Sequence, residues 1–167
     1  MVAVPRPGKL SAFERFYRQH FPRTRAVLTL MTGDVDLAEE ATQEAFVRAF
    51  GRWKAVRTLE HPDRWLAIVA LNVVRDAHRS RKRQANALRR LSPIEVHEEA
   101  IEDRLDVMSV VMQLPPRQRQ VVVLRYLVGL DTADTAKAMR CAQGTVQASL
   151  AAAMKNISEK LGERDHE

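Results

Sequence analysis

The sequence is short of the residues that catalytic, metal and disulfide chemistry need. A single cysteine, Cys141, stands among 167 residues, so neither an internal disulfide nor a cysteine-cluster metal site can form. That usage fits a reducing cytoplasm. His20, His61, His78, His97 and His166 are scattered, without a ligand spacing such as H-E-x-x-H. Glycine totals six and forms no phosphate-cradling loop. No apolar stretch approaches the roughly 20 residues that span a bilayer. Met1–Lys9 holds two prolines and no apolar run, so it does not read as a signal peptide. These absences argue against an enzyme and against membrane insertion. They predict a soluble cytoplasmic chain that needs no metal and no cofactor.

What is present is apolar residue and positive charge. Apolar content of 46% suffices for a packed core. Net charge is +6 and the pI about 10.0, which favours anionic partners: nucleic acid first, an acidic membrane surface second. The charge is concentrated. Arg64–Arg90 opens on Trp65, Leu66, Ile68, Val69, Leu71, Val73 and Val74, interrupted by Asn72. It continues as Arg75, Arg79, Arg81, Lys82, Arg83, Arg89 and Arg90 against one acid, Asp76. No Gly or Pro breaks the run, so one long helix is predicted, its first half held in a core and its second half offering a cationic stripe. A charge run is usually a solvated face. Seven cations against one acid in sixteen residues, however, repel one another unless a polyanion neutralises them.

The rest of the chain reads as helices. Residues 1–10 are expected to be a disordered tail. Leu10–Leu30 carries Phe13, Phe16, Tyr17, Phe21, Val27, Leu28 and Leu30 at roughly helical spacing, with Pro22 expected to break or restart the helix. After a turn at Gly33–Asp34, Asp36–Trp53 is the clearest amphipathic helix, with Leu37, Ala41, Ala45, Phe46, Ala49, Phe50 and Trp53 on one stripe. Its acids Asp36, Glu39, Glu40 and Glu44 crowd the first half, where they suit the helix dipole. Lys54–Asp63 lacks periodicity and reads as a loop. Ser92–Pro93 ends the basic region, and Glu95, Glu98, Glu99, Glu102, Asp103 and Asp106 make residues 92–106 an acidic linker. The fold class expected is therefore all-α, two small helical domains at 11–91 and 107–162. In the second, Pro115–Pro116 starts a helix and Asp131 can cap the next, Thr132–Met139. A turn at Arg140–Gln143 leads to a last helix with Val146, Leu150, Ala153, Ile157 and Leu161 inside. Two helices across a tight turn form a helix-turn-helix pattern.

Ala38–Glu39–Glu40–Ala41–Thr42–Gln43–Glu44–Ala45–Phe46, Trp65–Leu66 with Asn72 and Asp76, Leu114–Pro115–Pro116–Arg117–Gln118–Arg119 and Gly144–Thr145–Val146 together resemble the extracytoplasmic-function group of the sigma-70 family. The likeness covers about residues 11 to 162. The resemblance implies a factor that binds core RNA polymerase and directs initiation at promoter DNA. Glu39, Glu40, Gln43, Glu44 and Arg48 would dock on the polymerase clamp helices. Loop 54–63 would hold a base flipped from the minus-ten element. Asn72 and Asp76, with Arg64 and Trp65, would contact the same element, and Arg75, Arg79, Arg81, Lys82 and Arg83 would hold phosphates. Arg117, Arg119, Gln143, Thr145, Gln147 and Ser149 would serve the helix-turn-helix at the minus-thirty-five element. The acidic linker would thread through polymerase. An anti-sigma factor is a further partner class that the resemblance admits.

Three departures qualify the second domain. Relatives usually carry basic residues at the positions of Gln147, Ser149 and Ala152. Arg140 stands where a glycine is usual, and Ala142 where a serine would cap. Thr135 replaces an apolar core residue. Weak or unusual minus-thirty-five reading is therefore expected, with promoter choice resting on residues 54 to 83. The alternative, a stand-alone helix-turn-helix regulator, leaves the Thr-Gln-Glu helix and the acidic linker without a task.

Overall fold

The computed structural model describes the backbone of residues 7–88 and 107–164, and side chains within 12–80 and 107–162. The expected acidic linker at 92–106 lies outside these residues, as do Arg89 and Arg90. The described residues are helical, with no strand among them.

Helix α1 (Pro7–Thr32) starts within the stretch expected to be a tail and runs straight through Pro22. Both expectations are corrected. Proline is well placed in a first helical turn, so Pro7 can open the helix. Pro22 removes one backbone hydrogen bond, yet the rings packed just before it and the buried Val27, Leu28 and Met31 after it hold both sides against the core. Phe16 and Phe21 lie 5.7 and 5.5 Å from Phe46 of α2 (Val35–Gly51), and Tyr17 lies 5.0 Å from it. Packing overrides the local preference.

α2 begins at its cap. The Asp34 side chain accepts from the Leu37 amide at 2.8 Å, satisfying one of the donors that every helix start leaves open. It ends at Gly51, before the Trp53 expected to close it, and Trp53 opens the short α3 (Trp53–Val56). The expected loop 54–63 is thus narrower: Lys54–Val56 is helical, and α4 (Pro62–Leu88) begins with Pro62 in its first turn. Leu66, Ala67, Ala70, Leu71 and Val74 face inward, and α4 packs on α2 and α1.

The second unit comprises α5 (Val107–Met112), α6 (Pro116–Val122), a π-turn at Val123–Leu127, α7 (Thr132–Met139) and α8 (Gln143–Arg164). Val121, Ala136 and Val146 form a small core of their own, flanked by Met139, Cys141 and Leu150. Val111, Leu114, Val122, Val123, Leu124 and Val128 instead join the apolar cluster of α1, α2 and α4. The two helical units therefore meet along α1, which touches α5, α6 and the π-turn.

Candidate polymerase and promoter interfaces

Burial sorts the Thr-Gln-Glu block into two roles. Thr42 is fully buried and its hydroxyl donates to the Ala38 carbonyl at 2.6 Å. It is a core residue. Glu40, Gln43 and Arg48 are exposed and Glu44 half-buried, so they share the outward stripe of α2. Glu44 accepts from Arg48 at 2.8 Å, and Glu39 pairs with Arg25 of α1 at 3.0 Å. Val47, in the middle of this stripe, is 66% exposed. The sequence reading passed over it, although its place outside the Ala45, Phe46, Ala49, Phe50 stripe was the available clue. An exposed apolar residue ringed by paired charges is suited to protein docking.

Along α4 the polar side chains divide by depth. Trp65 is half-buried against the core, while Asp76 and Arg79 are exposed. Asn72 is half-buried, and its Oδ1 accepts from Arg75 Nη1 at 3.3 Å and from Arg140 Nη2 at 3.3 Å. Burial, followed by the like charges of Arg140 and Arg79, pushes the Arg75 guanidinium below its ordinary pKa. Arg64 lies against Gly129, with Nη2 3.4 Å from where a Cβ would stand. Arg81, Lys82 and Arg83 lie on α4, but their side chains fall outside the described ones. The structure thus brings Arg64, Asn72 and Arg75 to one seam with the second unit.

In the helix-turn-helix, the Asp131 side chain accepts from the Asp134 amide at 2.7 Å and caps α7. Arg140, which stands where relatives usually carry glycine, ends α7 at φ 54°, ψ 48°, in the left-handed conformation. Thr135 is fully buried and its hydroxyl has no hydrogen-bond partner. Gln143 and Gln147 are exposed, Thr145 and Ser149 half-buried. Among the described side chains, every cation of α7, α8 and their turn already holds a partner. Lys137 pairs with Asp134 at 3.0 Å, Lys155 with Glu159 at 3.8 Å, and Lys160 bonds Gln113 at 2.8 Å. Arg140 holds Asn72. Arg117 is exposed, but Arg119 is buried and donates to the Met112 carbonyl at 2.8 Å. In this arrangement Arg119 serves the fold, not a phosphate.

These features can be set beside known proteins. Residues 16–84 match "Sigma-70 region 2", and residues 104–157 match "Sigma-70, region 4". The RNA polymerase sigma-E factor of Streptomyces coelicolor is 32% identical over 95% of this chain and 90% of its own. The chain belongs to the sigma-70 family of RNA polymerase sigma factors, in its extracytoplasmic-function group. An extracytoplasmic-function factor of Mycobacterium tuberculosis, SigM, is 27% identical over 97% of this chain and 83% of its own. The fold of this sigma factor is that of the Bartonella quintana sigma factor RpoE, solved with the anti-sigma factor NepR. The TM-score is 0.68 at 21% identity, covering 90% of this chain and 97% of the other. CnrH, solved with the cytosolic domain of CnrY, gives 0.53 at 22%, covering 92% of this chain and 90% of its own.

As a family member the sigma factor binds core RNA polymerase and directs recognition of promoter DNA. The stand-alone regulator reading is not favoured. Among the described residues no helix is long and apolar enough to cross a membrane.

Proposed function

We propose that the outward stripe of α2 (Glu39, Glu40, Gln43, Glu44, Val47 and Arg48) docks on core polymerase, and that residues 54 to 83 carry most of the promoter choice. Arg64, Trp65, Asn72 and Asp76 contact the minus-ten element, and Arg75, Arg79, Arg81, Lys82 and Arg83 hold phosphates, which position without specifying. The helix-turn-helix contributes weakly, through Arg117, Gln143, Thr145, Gln147 and Ser149. The protein works in the cytoplasm, without catalysis of its own, and an anti-sigma factor is a candidate partner, as in the RpoE complex.

The observation that carries this division is the placement of charge. α4 holds six cations against two acids, whereas Lys137, Arg140, Lys155 and Lys160, the cations of α7, α8 and their turn with described side chains, are engaged within the chain. Phosphate attraction supplies most non-specific affinity for duplex DNA, and the second unit has little left to offer. Run-off transcription with core enzyme and genomic templates tests the reading. Scrambling the upstream element of a promoter so found should cost less transcript than scrambling the minus-ten element. Equal losses would refute the proposed division.

A further inference from the structure

Three exposed cations of α1 and α2 hold acids. Arg18 pairs with Glu14 at 2.6 Å, Arg25 with Glu39 at 3.0 Å and Arg48 with Glu44 at 2.8 Å. After Arg48 this matching stops. No acid stands between Glu44 and Glu60, and Arg52, Lys54 and Arg57 fall within that interval. All three are exposed, and no described side chain pairs with any of them.

They sit where α2 ends and α3 turns. Trp53 and Val56 take the inner side of α3, both buried, and the Trp53 ring meets Phe13 edge to face at 5.2 Å and Phe16 at 5.0 Å. Lys54 and Arg57, three positions apart on this turn, are left side by side on the outside, where like charges repel. The backbone behind them is fixed. The Arg57 amide donates to the Trp53 carbonyl at 3.0 Å, and the Thr58 amide and hydroxyl both donate to the Ala55 carbonyl, at 3.1 and 2.8 Å. A rigid corner with three unneutralised cations can take an anion at little ordering cost.

The position of the corner selects the anion. The exposed run Arg57–His61 joins α3 to Pro62 at the start of α4. Arg79, Arg81, Lys82 and Arg83 lie toward the other end of α4. From Pro62 to Arg79 the helix rises about 26 Å, the length of about seven stacked nucleotides. We infer that Arg52, Lys54 and Arg57 hold the phosphates of the melted strand where it continues past the minus-ten element toward the start site. The strand is then gripped by charge at both ends, with its bases read in between. The stripe on α4 positions the promoter, and the corner retains the strand once it has separated.

This inference deepens the proposed reading of α4 and rests on it. Holoenzyme made with the full chain tests it, in competition binding with two single-stranded oligonucleotides from a promoter found by run-off. One ends at the last base of the minus-ten element, and the other continues a few nucleotides downstream. Replacing Arg52, Lys54 and Arg57 with Ala should cost roughly tenfold in affinity for the longer strand and flatten its log–log salt slope by about 2, at about 0.7 for each lost contact. The shorter strand should lose far less. Equal losses on both strands, or none on either, overturn the inference. Arg52→Lys with Arg57→Lys keeps the charge and should keep the affinity; a lysine variant as weak as the alanine one refutes a hold by charge. Affinity of the alanine variant for core polymerase, measured alongside, should match the wild type. A fall there would make the corner a polymerase contact and sink the assignment to DNA. Asn72→Ala separates this claim from the reading beneath it, because it should weaken both strands alike. If it weakens neither while the alanine variant loses only the longer strand, the corner stands and the assignment of Asn72 falls.

Discussion

The guanidinium of Arg119 lies across Gly33, its Nη2 3.4 Å from the position a Cβ would take there. Gly33 turns the chain between α1 and α2 at φ +72°, so both the backbone and the available space favour glycine. Gly33→Ala should cost about 1–2 kcal/mol from the left-handed backbone, plus whatever Arg119 yields. Gly33→Asn tolerates the backbone better but keeps the crowding. Urea unfolding of the pair separates the two causes, and equal stability of both variants with the wild type would discount them.

Thr135 is fully buried with an unpartnered hydroxyl. Leaving such a group unsatisfied costs about 1–3 kcal/mol. Thr135→Val keeps the shape and removes the hydroxyl, so it should raise the melting temperature. A fall would mean that the hydroxyl has a use in the folded chain.

Asp131 caps α7 through the Asp134 amide. Asp131→Ala should lower stability by about 1 kcal/mol. Because α7 leads into the turn that holds Arg140, the same variant should loosen the helix-turn-helix first. Amide exchange within Thr132–Met139, compared with α2, is the measurement.

Replacing Arg79, Arg81, Lys82 and Arg83 with Ala should weaken promoter binding across sequences without changing which promoter is chosen. Each lost phosphate contact should flatten the log–log salt slope by about 0.9 on duplex, or about 0.7 on the melted strand. An unchanged slope would assign the stripe to solvent.

His20 lies tilted against Phe16, ring centroids 4.6 Å apart, and burial holds its pKa below the ordinary value against the opposing pull of Asp63. The unfolded chain therefore binds the proton more readily. Stability from this site is present above about pH 6.5 and is lost as pH falls from there through the lowered folded value. In His20→Gln that part of the pH dependence should vanish. Denaturant midpoints of the two proteins across that window check it.

Much of this was legible where local rules and packing agree. The period of α2, the cap at Asp131 and the extent of α7 follow from neighbouring residues alone. Pro22 misled because the force that keeps α1 whole comes from Phe46, 24 positions away. Arg119 was placed at promoter DNA by the resemblance, because its charge is visible in sequence and its burial is not. The contact of Arg140 with Asn72 was invisible for the same reason: no local pattern encodes a partner 68 residues distant.

The π-turn at Val123–Leu127 has a consequence for how this chain can change length. A π-turn holds one residue more than the α-helical turn it replaces. Deleting a single residue there would let α6 continue as ordinary helix, without opening a gap in the backbone. Everything downstream would then rotate by about 100°, swinging Arg140 away from Asn72 and forcing the small core of Val121, Ala136 and Val146, which spans the turn, to repack. A one-codon deletion at this point is thus a route by which the orientation of the second unit could drift during evolution. An engineer could use it to reset that orientation only by repacking the core between α6, α7 and α8 with it.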